Sequence, residues 1–270
     1  MRLGLSNLLW TAELDPAAAG LLARHDIDSI DVAPTRYEND IVAAAPSRWR
    51  DIRRWWAERG IAITGMQSLL HGTEGLDIFG DAPVRERTTA HLRANLRIAV
   101  ELGATQLVFG SWRNRLRRGL DPARALERAA DFFGPLGEEA AALGVCLGIE
   151  PISERYGNDF LVDHDEAAAL VERVASRGFG LVFDVGCAAL AAEDVAAVAR
   201  RHAPLVRHVQ IAEFELAPLD AANPIHAVAG PALRAAFPGR VACVEALAPP
   251  DMSPQEAITR SIAVVTEHYR

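Results

Sequence analysis

Residues 179–186 read Phe-Gly-Leu-Val-Phe-Asp-Val-Gly, an apolar run interrupted by a carboxylate close to its end. A short run of bulky apolar residues bounded by glycine reads as a buried strand. The same pattern recurs on both sides of it: Gly148-Ile149-Glu150-Pro151 upstream, His208-Val209-Gln210-Ile211 and Cys243-Val244-Glu245-Ala246 downstream. The four polar residues are spaced 34, 26 and 35 positions apart, each interval long enough for one strand, one helix and their loops.

Toward the N-terminus the series continues with apolar segments at 3–10, 29–34, 61–70, 105–111 and 145–151, and the stretches at 179–186, 206–213 and 240–247 bring it to eight. Ala-, Arg- and Glu-rich segments with helical periodicity lie between them, as at 121–143 and 164–177. Strict βα alternation calls for a parallel sheet. Asp15-Pro16 and Asp121-Pro122 place an N-cap before a proline, while Gly60, Gly103, Gly144 and Gly178 stand where helices should stop. An open doubly wound sheet is the minority alternative. Its glycine-rich dinucleotide loop is missing after the first strand, where the chain reads Ser6-Asn7-Leu8-Leu9-Trp10. The expectation is an α/β chain forming one (β/α)8 barrel domain over residues 1–270, with its active site at the C-terminal ends of the strands.

Composition narrows the chemistry. Hydrophobic residues make up 50% and charged residues 24%, which suits a soluble enzyme-sized core, and no apolar run approaches the ~18 residues of a membrane span. Asn7, Glu13 and Asp15 interrupt the apolar N-terminus, against a signal peptide. Cys146, Cys187 and Cys243 are odd in number and lack CxxC spacing, so a reducing, cytoplasmic location is expected. A net charge of −8 argues against nucleic-acid binding. All 28 basic residues are arginine. Without lysine there is no Schiff-base aldolase, no pyridoxal phosphate anchor and no Walker A loop. Carboxylates, histidine, cysteine or a metal must do whatever chemistry occurs.

Glu150, Asp184, Gln210 and Glu245 end four successive strands and should converge. One such residue alone would be a loop hydrogen-bonder or an arginine partner. Several carboxylates in one mouth repel, so they need a cation, a shared proton or arginines. One divalent metal ion on these four residues is expected, and an all-oxygen set suits Mn²⁺ or Mg²⁺ better than Zn²⁺, with Co²⁺ as a substitute in vitro.

On Ile149-Glu150-Pro151, Phe183-Asp184-Val185-Gly186, His208-Val209-Gln210 and Val244-Glu245, nearly the whole chain resembles the xylose isomerase-like TIM-barrel superfamily of sugar and sugar phosphate isomerases and epimerases. The resemblance implies that Glu150, Asp184, Gln210 and Glu245 hold one divalent ion and that Glu150 and Glu245 are the catalytic pair straddling the substrate. It implies proton transfer beside a carbonyl, through an enediolate, on a sugar, sugar phosphate or related polyhydroxy ketone. Such barrels are often homo-oligomers.

Three positions depart from the family pattern. Gln210 replaces the second histidine of a His-x-His, of which His208 keeps the first, and Cys187 stands where epimerases commonly have a substrate-binding histidine. Leu216 also replaces an arginine of those enzymes. A metal-dependent dehydratase of a cyclic polyol or keto acid is the alternative, supported by Gln210. An apurinic-site endonuclease needs more histidines and a less acidic chain, and a metal-free binding protein would leave the converging acids without a purpose.

His208 and Cys187 are candidate substrate contacts. In the segment Ser111-Trp112-Arg113-Asn114-Arg115, Arg113 and Arg115 either grip an anionic group of the substrate or pair with surface acids. His71 and Gln67 could reach the mouth from the third strand, His71 equally as a structural hydrogen-bonder. Trp112 and Tyr156 could wall or cover the substrate, or simply pack.

Overall fold

The computed structural model describes residues 1–270. Eight strands close into a parallel barrel in sequence order: β1 (Arg2–Ser6), β2 (Ser29–Val32), β3 (Ala62–Met66), β4 (Gln106–Phe109), β5 (Cys146–Ile149), β6 (Phe179–Asp184), β7 (Val206–Ile211) and β8 (Val241–Val244). Pairing of β1 with β8, from Arg2 opposite Val241 to Leu5 opposite Val244, completes the closure. All eight apolar segments overlap a strand, so the (β/α)8 TIM barrel expected from the sequence is the observed fold, and the open sheet is excluded.

Helices α1 (Asp15–Arg24), α2 (Pro46–Ala57), α3 (Ala82–Leu102), α4 (Pro122–Ala142), α5 (His164–Val174), α6 (Val185–Leu190), α7 (Val195–His202), α8 (Ile225–Ala236) and α9 (Pro254–His268) connect the strands or follow the last of them. Their ends follow local chemistry. Asp121 Oδ1 accepts from Ala123 N at 2.9 Å, ahead of Pro122, and α3 stops at Gly103, whose φ of 78° is left-handed. Asp15 differs from expectation. It is the first residue of α1 rather than its cap, and its Oδ1 accepts from Trp10 Nε1 at 2.8 Å. Gly178 also differs: α5 has already ended at Val174, and a Cβ at Gly178 would strike the backbone of α4 at Gly137 and Ala141. No helix is long and apolar enough to cross a membrane.

Aromatic packing fixes which way each strand faces. Phe109 meets Phe133 of α4 edge-on at 5.3 Å, and Phe133 stacks on Phe179 at 5.0 Å. Phe183 stacks on His164 of α5 at 4.5 Å and touches Phe237 at 5.6 Å. These residues therefore face the helical layer. Burying each such ring is worth roughly 1.5–3 kcal/mol. Because strand side chains alternate, Val108, Gly110 and Asp184 must then face the barrel axis.

Candidate active site

The axis-facing residues at the C-terminal rim open into a cavity of about 600 Å³ lined by, among others, Gln67, Gly110, Glu150, Asp184, Cys187 and Glu245. Glu150 follows β5 directly and is 6% exposed. Its carboxylate occupies the space that Gly110 leaves open, since a Cβ there would collide with Glu150 Oε2. Asp184 ends β6 and is 1% exposed; its Oδ1 accepts from Cys187 N at 2.6 Å, capping α6. Asp184 N donates to His164 Nε2 at 3.3 Å, so the His164 proton sits on Nδ1, which donates to Glu193 Oε2 at 2.5 Å. That relay anchors the strand end. Glu245, 9% exposed, is gripped from two sides: Gln67 Nε2 donates to Oε1 at 2.5 Å and Gln210 Nε2 donates to Oε2 at 3.0 Å.

Burial raises all three acids, and the charge of neighbouring acids adds to it at Glu150 and Glu245. The Glu150 carboxyl is pushed up to about 8, first by burial and then by the Asp184 charge, with Arg115 opposing. Burial raises Asp184 against the hydrogen bonds from Cys187. Glu245 rises well above the carboxylate range through burial and the charges of Glu150, Asp184 and Asp31. Three buried oxygens, Asp184 Oδ2, Gln210 Oε1 and Gln67 Oε1, have no hydrogen-bond partner. Unpartnered oxygens beside mutually repelling acids match what a divalent cation requires. Glu150 and Asp184 are the two expected ligands whose oxygens lie close enough to share one ion, while both Glu245 oxygens are taken up by the Gln67 and Gln210 amides.

Of the expected substrate contacts, Gln67, His71, Trp112, Arg113, Tyr156 and Cys187 line the cavity. The Arg113 guanidinium lies 4.7 Å from the Trp112 ring centroid. Tyr156 OH accepts from Glu215 N at 2.9 Å, tying the loop after β5 to the one after β7. Two residues are corrected. Arg115 is fully buried, and its Nη2 donates to the Glu150 carbonyl at 2.7 Å, so it braces the strand end from beneath instead of gripping substrate. Burial lowers its guanidinium to about 10, with Glu150 opposing. His208 points inward two residues below Gln210, and its Nε2 meets Asp31 Oδ2 at 2.6 Å, away from the cavity. Sequence reasoning missed Asp31, although an acid within the apolar run 29–34 was a visible signal. Gly110, the residue after β4, gave none.

A closed parallel barrel with acids ending its strands on one rim is a (β/α)8 barrel of the enzyme type. The family model described as xylose isomerase-like TIM barrel matches residues 19–268, and the chain belongs to that family. Comparison with curated proteins gave no match. Among solved structures it is similar to D-psicose 3-epimerase in the presence of D-fructose, at 19% identity and TM-score 0.77, covering 100% of this chain and 96% of that one. It is also similar to 3-keto-D-glucoside 4-epimerase, YcjR, from E. coli, at 16% identity and TM-score 0.79, covering 98% and 99%. A third likeness is to the IOLI protein with a binding zinc atom, at 14% identity and TM-score 0.77, covering 100% and 98%. At these identities the likeness establishes the shared fold.

Proposed function

We propose that the protein is a divalent-metal-dependent isomerase or epimerase of a sugar, sugar phosphate or related polyhydroxy ketone, working by proton transfer through an enediolate. The observation that carries this reading is the convergence of Glu150, Asp184 and Glu245 on one cavity, with Asp184 Oδ2 and Gln210 Oε1 unpartnered. Sugar epimerases among the similar folds, and the zinc atom of the IOLI protein, support the substrate class and the ion.

When bound, a divalent cation at this site polarises a substrate carbonyl and so acidifies the adjacent C–H. Glu150 and Glu245 are the groups that move the proton. Gln67 and Gln210 fix the plane of the Glu245 carboxylate, which aims one oxygen at a fixed point instead of letting it rotate. Glu150 is held through its backbone by Arg115 and given room by Gly110. Proton removal by one glutamate and return by the other on the opposite face yields an epimer; return to the neighbouring carbon yields the aldose–ketose isomer. Val108, Trp112 and Leu190 supply apolar wall that keeps bulk water from the intermediate.

The test is solvent exchange. Metal-loaded protein incubated in D₂O with ketoses, their phosphates and keto-glycosides should place deuterium on the carbon beside the carbonyl, and chelator should stop it. Loss of water from a substrate without exchange would turn the reading to the dehydratase. No exchange and no product from any of these compounds would overturn the enediolate mechanism.

A further inference from the structure

Sulfur enters the acid cluster. Cys187 sits three residues after Asp184, on the first turn of α6, and its Sγ stands 3.9 Å from Glu150 Oε1. One ligand-capable atom from each of Glu150, Asp184 and Cys187 lies within 4.8 Å of the other two. A zinc–sulfur bond of ~2.3 Å and a zinc–oxygen bond of ~2.0 Å together exceed the separation of Cys187 Sγ from Glu150 Oε1, so a single ion can touch both atoms.

The two sides of the site are unequal. Both oxygens of Glu245 already accept from amides, Gln67 on one side and Gln210 on the other. Asp184 Oδ2, by contrast, is buried without any partner, and the one side-chain hydrogen bond of the Glu150 carboxylate comes from the Cys187 thiol itself. The thiol therefore stands beside the unpartnered half of the cluster, where Asp184 is capped only on Oδ1, by Cys187 N. Neither other cysteine shares this setting: Cys146 begins β5 on the far end of the strand from Glu150, and Cys243 Sγ turns toward the Val244 carbonyl at 3.8 Å.

We infer that Cys187 is a metal ligand, its thiolate joining Glu150 and Asp184 around the ion; the inference rests on the metal reading proposed above and deepens it. Binding displaces the thiol proton to solvent, so the sulfur arrives as the anion that a cation needs. A soft thiolate among hard carboxylates shifts selectivity toward Zn²⁺ and Co²⁺ and away from Mg²⁺ and Mn²⁺, reversing the preference expected of oxygen donors alone. It also replaces, in softness, the histidine nitrogen that Gln210 does not provide. Cys187 then belongs to the centre and leaves substrate recognition to the residues across the cavity.

Cobalt reads this directly. Chelator-stripped protein titrated with Co²⁺ should develop an intense near-ultraviolet sulfur-to-cobalt charge-transfer band that saturates at a single equivalent. The Cys187→Ser variant should still bind Co²⁺ with only the weak visible bands of oxygen coordination, and Cys243→Ser should keep the intense band. Competition between Zn²⁺ and Mn²⁺ should favour zinc in the unmodified protein and move toward manganese in Cys187→Ser. Stoichiometric cobalt binding by the unmodified protein without the charge-transfer band would overturn the sulfur ligand and leave the carboxylate site standing. No cobalt binding at all would overturn both.

Discussion

Asp31 and Glu150 are both carboxylates buried inside the barrel, but their surroundings differ. Asp31, deep on β2, meets His208 Nε2 of β7 at 2.6 Å across the axis, accepts from Thr64 Oγ1 at 3.3 Å, and fills the space beside Gly65. Glu150, at the rim, shares its cavity with Asp184, Glu213, Glu215 and Glu245, and the Arg115 guanidinium gives its Nη hydrogen bonds to the Phe109 and Glu150 backbone carbonyls. The lower pair is complete in the folded chain. The rim is incomplete until something positive arrives. A fold can bury charge for structure or for chemistry, and here the distinction lies in whether the partner is supplied by the chain.

Removing a rim acid should therefore damage activity and spare the fold. Glu150→Gln is expected to slow α-proton exchange about 10²–10⁴-fold, the range of a lost general acid–base group. The melting temperature of the metal-free variant should hold or rise, because an unbalanced buried charge is gone; a large fall would break the comparison. His208→Ala should do the reverse. It removes the 2.6 Å partner of buried Asp31 and should cost about 1–3 kcal/mol of stability in denaturant unfolding.

A smaller effect is expected from Gly110→Ala, whose Cβ would collide with the Glu150 carboxylate. Metal affinity measured by calorimetry should fall about 10–100-fold, as when a ligand's supporting shell is disturbed, with the fold retained.

The acidity of the rim gives a further prediction. Glu150 is raised to about 8, and Asp184 and Glu245 move in the same direction. A carboxyl whose folded pKa lies above its unfolded value contributes stability that is present at low pH and lost as pH climbs through the folded value. The melting temperature of stripped protein should thus fall between about pH 5 and pH 8, and saturating metal should flatten that slope. Asp15, raised to about 6 by burial outside the site, contributes equally to both curves, so their difference reports the rim. Arg113→Ala should have the smallest effect. It should raise KM about tenfold for an anionic substrate, the worth of one charged hydrogen bond of ~1.5 kcal/mol, and leave KM for a neutral ketose unchanged.

The eight strands were legible because buried parallel strands read as continuous apolar runs, and the rim acids because several carboxylates ending neighbouring strands must meet in one mouth. Directions of side chains in loops were not. Arg115 and Arg113 stand two residues apart in one arginine-rich loop, yet one is fully buried against the Phe109 and Glu150 carbonyls and the other exposed. Nor was the Asp31–His208 pair legible, since its partners are 177 residues apart and meet only when the barrel closes. Gly110 carries information solely through the neighbour it admits. Asp15 looked like a cap because of Pro16, and Trp10, five residues earlier, claimed its carboxylate instead.

The most direct test counts ions. Stripped protein equilibrated with Co²⁺ or Mn²⁺ should retain about one ion per chain and gain thermal stability, as a ligand specific to the native state requires. Asp184→Asn, which keeps an oxygen to cap α6 while removing the charge, should lose that binding. Folded protein that retains no divalent ion, or an Asp184→Asn variant that binds as tightly as the unmodified chain, would contradict the account.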